Sequence, residues 1–222
     1  MRSTALLLGA LLGACDSPPR SDAAAAGPAA TEVTPATGPA GAQAAATLRP
    51  LAVGQWAEYR TTRADGTTSS VKYQVVAEEE GQHWLEMSSG VGLTIQLLVA
   101  SRGAQQSADI VAARMRLPSG ELKESRGEAL EKHKVGFGKL LGDVLVPNLR
   151  GSERRDVTVP AGTFPGAFLR EHESDVSGEL IKTRTFSHPS VPISGLVLSE
   201  GVLERFRMEL VAYGTTGAKS SQ

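Results

Sequence analysis

The sequence has 222 residues, of which 41% are hydrophobic and 5% aromatic. Its 23 Lys and Arg and 24 Asp and Glu are mixed along the chain and give a formal net charge of −1, which argues against nucleic acid or a strongly anionic surface as a partner. Because there is one cysteine, no disulfide can form within the chain, and packing must hold the fold without one.

The first residues predict a secretory signal. Arg2 supplies a positive charge, residues 5–12 form an apolar run, and small residues lead to Cys15. That order is typical of a signal peptide. The run is much shorter than the roughly 20 apolar residues that a transmembrane helix needs. Residues 1–14 are therefore predicted to be a signal peptide and not a permanent membrane span.

The residues before the cysteine, Leu12, Gly13 and Ala14, resemble with Cys15 the bacterial lipobox. The resemblance implies cleavage after Ala14 and acylation of Cys15, which anchors the chain because each acyl CH₂ buried in lipid is worth about 0.8 kcal/mol. An ordinary signal peptide with an incidental cysteine is the alternative. Asp16 resembles the inner-membrane retention signal of enteric bacteria, a rule that other groups do not all follow. The predicted location is the bacterial cell envelope, facing the periplasm. The inner and the outer membrane both remain as alternatives for the anchor.

Residues 15–50 are predicted to be the lipidated cysteine and a disordered linker. In residues 16–50, 21 of 35 residues are Ala, Pro or Gly and none is aromatic, so ordering this segment would cost more entropy than apolar burial could offset. It would reach roughly 110 Å as a polyproline helix and about 30 to 35 Å as a flexible coil. All ten aromatic residues lie within 51–214, the predicted single β-rich domain. Residues 215–222 are predicted to be a flexible tail.

Period-two alternation of apolar and polar residues predicts that strands dominate the domain. Val71, Tyr73 and Val75 share one strand face, and turn residues such as Glu80 and Gly81 separate successive strands. Such hairpins pair antiparallel strands. The ten predicted strands are residues 56–63, 71–75, 83–87, 93–99, 110–117, 155–160, 164–173, 179–188, 195–200 and 205–213.

One helix is predicted between residues 126 and 146, where Leu130, Phe137 and Leu141 recur at roughly helical spacing. Three glycines between positions 136 and 142 each cost about 1 kcal/mol relative to alanine in a helix interior. A helix limited to residues 127–135 and followed by a loop is therefore an equal alternative. The predicted fold class is β-dominated α+β: a curved antiparallel sheet, as a half-barrel or barrel, with one helix packed against it.

Turn and strand motifs resemble a known family. Residues 157–164 read VTVPAGTF and are followed by a strand, by Val-Pro at 191–192 and by Gly-Leu-Val at 195–197, while 54–59 (GQWAEY) opens the first long strand. These features resemble the periplasmic half-barrel proteins related to the LolA/LolB lipoprotein carriers, over most of residues 51–214. The resemblance implies a curved antiparallel sheet around a helix, with an apolar concave face able to hold an acyl chain. The resemblance does not imply a transport role, and no ligand-contacting residue of that family can be matched to a position of this sequence.

Motifs for catalysis, cofactors and metals do not have their usual spacing in this sequence. Residues 136–142 (GFGKLLG) depart from a phosphate loop, because Leu140 follows Lys139 where Ser or Thr is required. The four histidines are not paired at metal-ligand spacing, and no serine lies in a nucleophile-elbow motif. We therefore expect no cofactor, no metal and no enzymatic activity.

The apolar inward faces remain as the candidate functional surface. Phe137, Leu140 and Leu141 are the predicted ligand-binding residues, as a mobile lid over a pocket; the alternative is that they plug the core. The first function hypothesis is a membrane-anchored lipoprotein that binds an apolar ligand, a lipid or acyl chain or a lipoprotein carrying one, in a half-barrel. The alternative is a structural or interaction lipoprotein that presents a closed β-domain to an envelope protein partner. An open apolar concave face would favour the first hypothesis, and a face filled by side chains would count against it.

Overall fold

A computed structural model describes residues 33–35, 47–90, 92–100, 109–117, 119–145, 149, 153–176, 179–201 and 206–221. Within these residues the chain forms twelve strands and one helix. The strands are β1 Val33–Pro35, β2 Trp56–Arg63, β3 Thr68–Glu79, β4 Gln82–Ser89, β5 Thr94–Ala100, β6 Asp109–Arg116, β7 Leu122–Arg126, β8 Arg154–Val159, β9 Gly162–Val176, β10 Glu179–Ser187, β11 Leu196–Gly201 and β12 Phe206–Gly214; the helix is α1 Gly127–Leu145. The predicted signal peptide and most of the predicted linker lie outside the described residues.

The strands form one antiparallel sheet in the order β1-β8-β9-β10-β11-β12-β2-β3-β4-β5-β6-β7. Most neighbours are consecutive hairpins, and two long connections place β12 beside β2 and β1 beside β8. Among the described strands, β1 and β7 are the two edges and do not pair with each other. The sheet is curved and open, with the helix packed against its inward face. The predicted β-dominated fold class with a half-barrel is confirmed.

Strand pairing follows the predicted alternation. Tyr73 and Val75 are buried on the inward face of β3, and all ten predicted strands occur. The ladder register shifts between Val75 and Ala77 and again between Leu210 and Ala212. Such bulges bend a strand and increase its twist, which contributes to the curvature of the sheet.

Two predicted turns depend on backbone conformations that glycine adopts easily. Glu80 and Gly81 join β3 to β4 with φ of 52° and 76°, the pair of positive φ values that a two-residue hairpin turn requires. Gly162 has a φ of 129° at the start of β9. The chain reverses there, so that Phe164 pairs with Val157 and enters the core at 3% exposure.

Helix α1 has the longer of the two predicted lengths and runs through its glycines. Gly127 has a φ of 54°, which lets the chain turn directly from β7 into the helix. Leu130 is 2% exposed in the core. Phe137 lies about two helical turns further along and also packs against the core. Lys134 Nζ lies 3.0 Å from Asp109 Oδ1 at the start of β6. Packing of Leu130 and Phe137 stabilises the helix as far as Phe137, and intrinsic propensity is a weak contribution by comparison.

Residues 188–195, between β10 and β11, add a buried loop to the core. Val191 is fully buried and Ile193 is 6% exposed, although Ile193 has a φ of 71°, which is unusual for a β-branched residue. The buried hydroxyl of Tyr59 donates a hydrogen bond of 3.0 Å to the carbonyl of Leu196. Core packing and this hydrogen bond hold the loop in a conformation that its local sequence disfavours.

The structure differs from the sequence prediction at three places outside the ten predicted strands. β7 was not predicted, because its mostly charged side chains carry no apolar alternation; charged residues are common on edge strands. β1 lies within the predicted disordered linker, and its Val33 pairs with Val157 of β8. Residues 215–221, within the predicted flexible tail, pack on the outer face of the sheet through hydrogen bonds to β3 and β4.

Candidate functional site

The predicted site residues have different outcomes. Cys15 lies outside the described residues, so its lipidation stays a prediction. Phe137 is half-buried and packs against the core, and its part in ligand binding stays a prediction. Leu140 and Leu141 belong to α1, but their side chains lie outside the described part of the structure, and their role as a lid also stays a prediction.

The inward face of the sheet is filled by side chains in the part of the chain that the structure describes. Tyr59, Val75 and Leu97 from β2, β3 and β5 are fully buried. Leu130 from α1 and Val191 from the 188–195 loop complete the same cluster. The large hydrophobic residues that are exposed, among those described, are Val53, Leu122 and Val135, and none of them belongs to this cluster. The described inward face therefore forms a packed core.

A polar row crosses the outer face, opposite the core. Gln74 of β3 pairs with Glu86 of β4, and Glu86 pairs with Gln96 of β5. The Nε2 amides of both glutamines donate hydrogen bonds of 2.7 Å to Glu86, one to each carboxylate oxygen. We call these three side chains the carboxylate slot. Its carboxylate is 0% exposed, although it lies on the face that alternation assigns to solvent.

Residues 215–221, here called the tail segment, cover the carboxylate slot. Ser221 donates to Glu86 Oε1 from its hydroxyl at 2.6 Å and from its backbone N–H at 3.1 Å. The Ser220 hydroxyl donates to Glu86 Oε2 at 2.9 Å, and the carbonyl of Lys219 accepts from Gln74 Nε2 at 2.8 Å. The two serines donate to Glu86, whereas Lys219 accepts from Gln74, so the tail segment satisfies a carboxylate that it also removes from water.

Hydrogen bonding keeps Glu86 ionised in spite of its burial. Burial raises the pKa of the Glu86 carboxyl, but the hydrogen bonds from Ser221, Gln96 and Gln74 outweigh burial and lower the pKa below its ordinary value. A carboxylate that accepts several hydrogen bonds is stabilised in its charged form. The site is therefore a fixed negative charge that accepts hydrogen bonds.

Nearer its first residue, the tail segment is held by contacts with Trp56 at the start of β2 and with Gly54, which precedes that strand. Trp56 Nε1 donates to the carbonyl of Thr216 at 3.1 Å, and the N–H of Ala218 donates to the carbonyl of Gly54 at 2.9 Å. A Cβ at Gly214 would lie 2.5 Å from Trp56 Nε1, so only glycine lets the chain leave β12 against this indole. These contacts aim the segment across β2 and β3 toward Glu86.

A second outer-face cluster surrounds Trp84. Its indole packs with Leu98 and Ala112, and the guanidinium of Arg114 lies 4.1 Å from the ring centroid, within the range of a cation–π interaction. The Nε1 donates to Glu79 at 2.9 Å, and this bond and one from Arg126 lower the pKa of the Glu79 carboxyl. The cluster joins β3 to β7 on the outer face.

His188 begins the buried loop after β10 and lies near charged and aromatic groups. Its Nδ1 and the Ser190 hydroxyl are 2.7 Å apart, and its ring meets Phe164 edge-on at 5.6 Å. Burial lowers the pKa of His188, and a hydrogen bond with the backbone of Pro165 opposes that shift only in part. The imidazole is therefore held neutral as part of the loop.

The described residues contain no group of three or more His, Cys, Asp or Glu side chains arranged to hold a metal ion. Among them there is also no helix whose length and hydropathy would let it cross a membrane. His172 pairs with Thr183, and His188 follows Ser187, which pairs with Phe168, so the two histidines are not cross-strand neighbours.

Sequence reasoning missed the carboxylate slot. Gln74, Glu86 and Gln96 each occupy the polar position of an alternating strand, a pattern that predicts a solvated face. They meet only because β3, β4 and β5 pair in one particular register, and the tail segment then covers them. No local motif marks either event.

No protein-family model matches the sequence, and none of the curated proteins matches it. Among solved structures, the crystal structure of a candidate lipoprotein from Parabacteroides distasonis ATCC 8503 is similar, with a TM-score of 0.33 and 15% sequence identity over 78% of this chain and 100% of that chain. A likeness at this level assigns neither a fold nor a function to this chain.

Proposed function

We propose that this chain is a membrane-anchored lipoprotein of the bacterial envelope whose closed β-domain binds a protein partner at its surface. The lipobox-like residues before Cys15 support the anchor, and the Ala- and Pro-rich segment after it supports a domain held away from the bilayer. The proposal includes no enzymatic step and no cofactor.

The observation that carries this proposal is the filled inward face. Tyr59, Val75 and Leu97 are fully buried in the same core cluster as Leu130 of α1 and Val191 of the 188–195 loop. An acyl chain could occupy the described inward face only by displacing side chains such as Leu130 and Phe137, and their own burial, worth about 25 cal/mol per Å², would be lost. The surface of a closed domain is available for binding without that cost, so a surface partner is favoured over an apolar ligand inside.

The anchor is tested by replacing its cysteine. Cys15→Ser should abolish labelling of the chain by an alkyne fatty acid fed to the cells, and should move the protein from the detergent phase to the aqueous phase on phase partition. Ser17→Ala, two residues away, is the matched control and should leave both measurements unchanged. Unchanged fatty-acid labelling of Cys15→Ser would contradict the anchor.

The surface partner and the apolar ligand are separated by photocrosslinking in cells. A photoreactive residue at Lys72, on the outer face of β3, should give a discrete protein adduct, while the same residue at Phe137 should give none with lipid. A lipid adduct at Phe137 without a protein adduct at Lys72 would instead support an apolar ligand in the half-barrel.

A further inference from the structure

We infer that the carboxylate slot of Gln74, Glu86 and Gln96 is a peptide-binding site, and that residues 218–221 are its resident, exchangeable ligand. The ligand class is an extended peptide that carries two adjacent hydroxyl side chains and a free backbone N–H at the second. This inference deepens the proposed function, on which it rests only for the statement that a partner supplies such a peptide.

The sheet forms the slot without help from the tail segment. Gln74 and Gln96 are direct cross-strand neighbours of Glu86, and each donates one hydrogen bond to it. A carboxylate offers about four lone-pair positions. Two amides therefore leave acceptor capacity at Glu86, and Oε1 of Gln74 is a buried acceptor that has no partner even with the tail segment in place. The slot therefore accepts hydrogen bonds at Glu86 and also donates them, since Gln74 Nε2 and Gln96 Nε2 bond to the tail segment.

The tail segment matches this chemistry with consecutive residues. Ser220 Oγ accepts from Gln96 Nε2 at 3.1 Å and donates to Glu86, so its hydroxyl uses both of its hydrogen-bonding capacities. Ser221 donates to Glu86 from its hydroxyl and its N–H. Alanine at either position would remove a donor, and phosphoserine would place an anion against Glu86. The slot therefore favours unmodified hydroxyls.

Exchange is expected because polar contacts hold the tail segment. Thr215, Thr216, Gly217, Lys219, Ser220 and Ser221 remain exposed or half-exposed outside the atoms that bind Glu86. None of these residues belongs to either hydrophobic cluster of the described chain. A segment with little apolar burial and exposed backbone opens locally far more often than the core unfolds. A peptide with the same donors can then occupy the slot.

A synthetic peptide with the sequence of residues 215–221 tests the inference on the full chain, with binding followed by NMR titration. The peptide should bind the double variant Ser220→Ala/Ser221→Ala at least about tenfold more tightly than the unaltered protein. In the unaltered protein the attached tail segment competes for the slot at an effective concentration on the order of millimolar. Glu86→Gln should bind the peptide at least about tenfold more weakly than Ser220→Ala/Ser221→Ala. A peptide with alanine at both serine positions, and one with phosphoserine there, should not bind.

Amide hydrogen exchange and thermal unfolding accompany the titration. The Ser221 amide should exchange faster in Glu86→Gln. In the double variant Ser220→Ala/Ser221→Ala the core amides should stay protected, and the unfolding temperature should fall by only a few degrees, as expected for the loss of one docked segment. Equal peptide affinity for all three proteins, or no binding to Ser220→Ala/Ser221→Ala, would overturn the inference. Neither result would bear on the anchor or the surface partner, because the titration uses no membrane and the crosslinking at Lys72 is a separate measurement.

Discussion

Glu86 is a fully buried ionisable side chain and His188 a half-buried one, and their surroundings act on them in opposite ways. Glu86 stays charged because hydrogen bonds lower its pKa against the effect of burial. His188 stays neutral because burial lowers its pKa. For both groups the folded pKa lies below the unfolded one, so each contributes stability at higher pH that is lost as the pH falls through the folded pKa.

The two groups act in separate pH windows. The contribution of Glu86 is fully present above the usual glutamate pKa of about 4.3 and is lost below it. The contribution of His188 begins to fall below its unfolded pKa of about 6.5, because the unfolded chain takes up a proton that the folded loop resists. Mild acidification therefore tests His188 separately from Glu86.

We predict that His188→Gln flattens the loss of stability on mild acidification. The free energy of unfolding of the unaltered protein should fall between about pH 7.5 and about pH 5.5, and this fall should be smaller in His188→Gln. Urea unfolding at both pH values measures it. His133→Gln is the matched control, since His133 is exposed on α1, and should keep the full pH dependence. A fall of equal size in His188→Gln would refute a buried neutral imidazole.

At the scale of elements, α1 shows how tertiary contacts override local preference. Three glycines weaken the helix, yet it extends from Gly127 to Leu145, and its Leu130 and Phe137 pack with the core. Two glycines differ in their backbone conformation. Gly127 has a positive φ of 54°, while Gly136 is exposed within the helix, and a Cβ there would meet nothing within 4 Å.

We predict opposite effects of alanine at these two glycines. Gly136→Ala should stabilise the protein by up to about 1 kcal/mol, the propensity difference in a helix interior. Gly127→Ala should destabilise it by about 1 to 2 kcal/mol, because a side chain is strained at positive φ. Chemical unfolding measures both, and each variant serves as the control for the other. Destabilisation by Gly136→Ala would indicate that its helix turn is not formed in solution.

For the whole molecule, the core is closed by segments far apart in the chain. Leu48, before the predicted domain boundary at residue 51, is 7% exposed and packs beside the 188–195 loop. A Cβ at Gly195 would lie 2.9 Å from Leu48 Cδ2 and 3.3 Å from the carbonyl oxygen of His188. The folded domain therefore includes residues that composition alone assigns to the linker.

We predict that Gly195→Ala costs more stability than Gly81→Ala. Both glycines have nearly the same φ, 74° and 76°, so both variants should lose about 1 to 2 kcal/mol to backbone strain. A Cβ at Gly81 meets nothing within 4 Å, whereas the one at Gly195 should add about 1 to 3 kcal/mol by overpacking. Urea unfolding at constant m-value measures the difference. Equal losses would mean that Leu48 does not pack against the loop.

Much of the fold could be predicted because its signals are local. Alternation within single strands predicted ten strands, and Gly81 lies at a turn that the sequence marks directly. β7 and the length of α1 could not be settled in the same way, since charged edge residues carry no alternation and glycines carry no information about packing. The candidate site could not be predicted from local patterns. Glu86 bonds to partners 12 and 10 positions away on neighbouring strands and to Ser221, 135 positions away.

The β-dominated class, the positions of most strands and the lipobox-like residues at Cys15 can be read from the sequence, because each depends on residues adjacent in the chain. The filled inward face, the docked tail segment and the single site formed by Gln74, Glu86 and Gln96 are visible only in the folded chain. The physical reason is that burial of a polar row depends on strand register and on what packs over it, and neither is encoded in the spacing of the row itself.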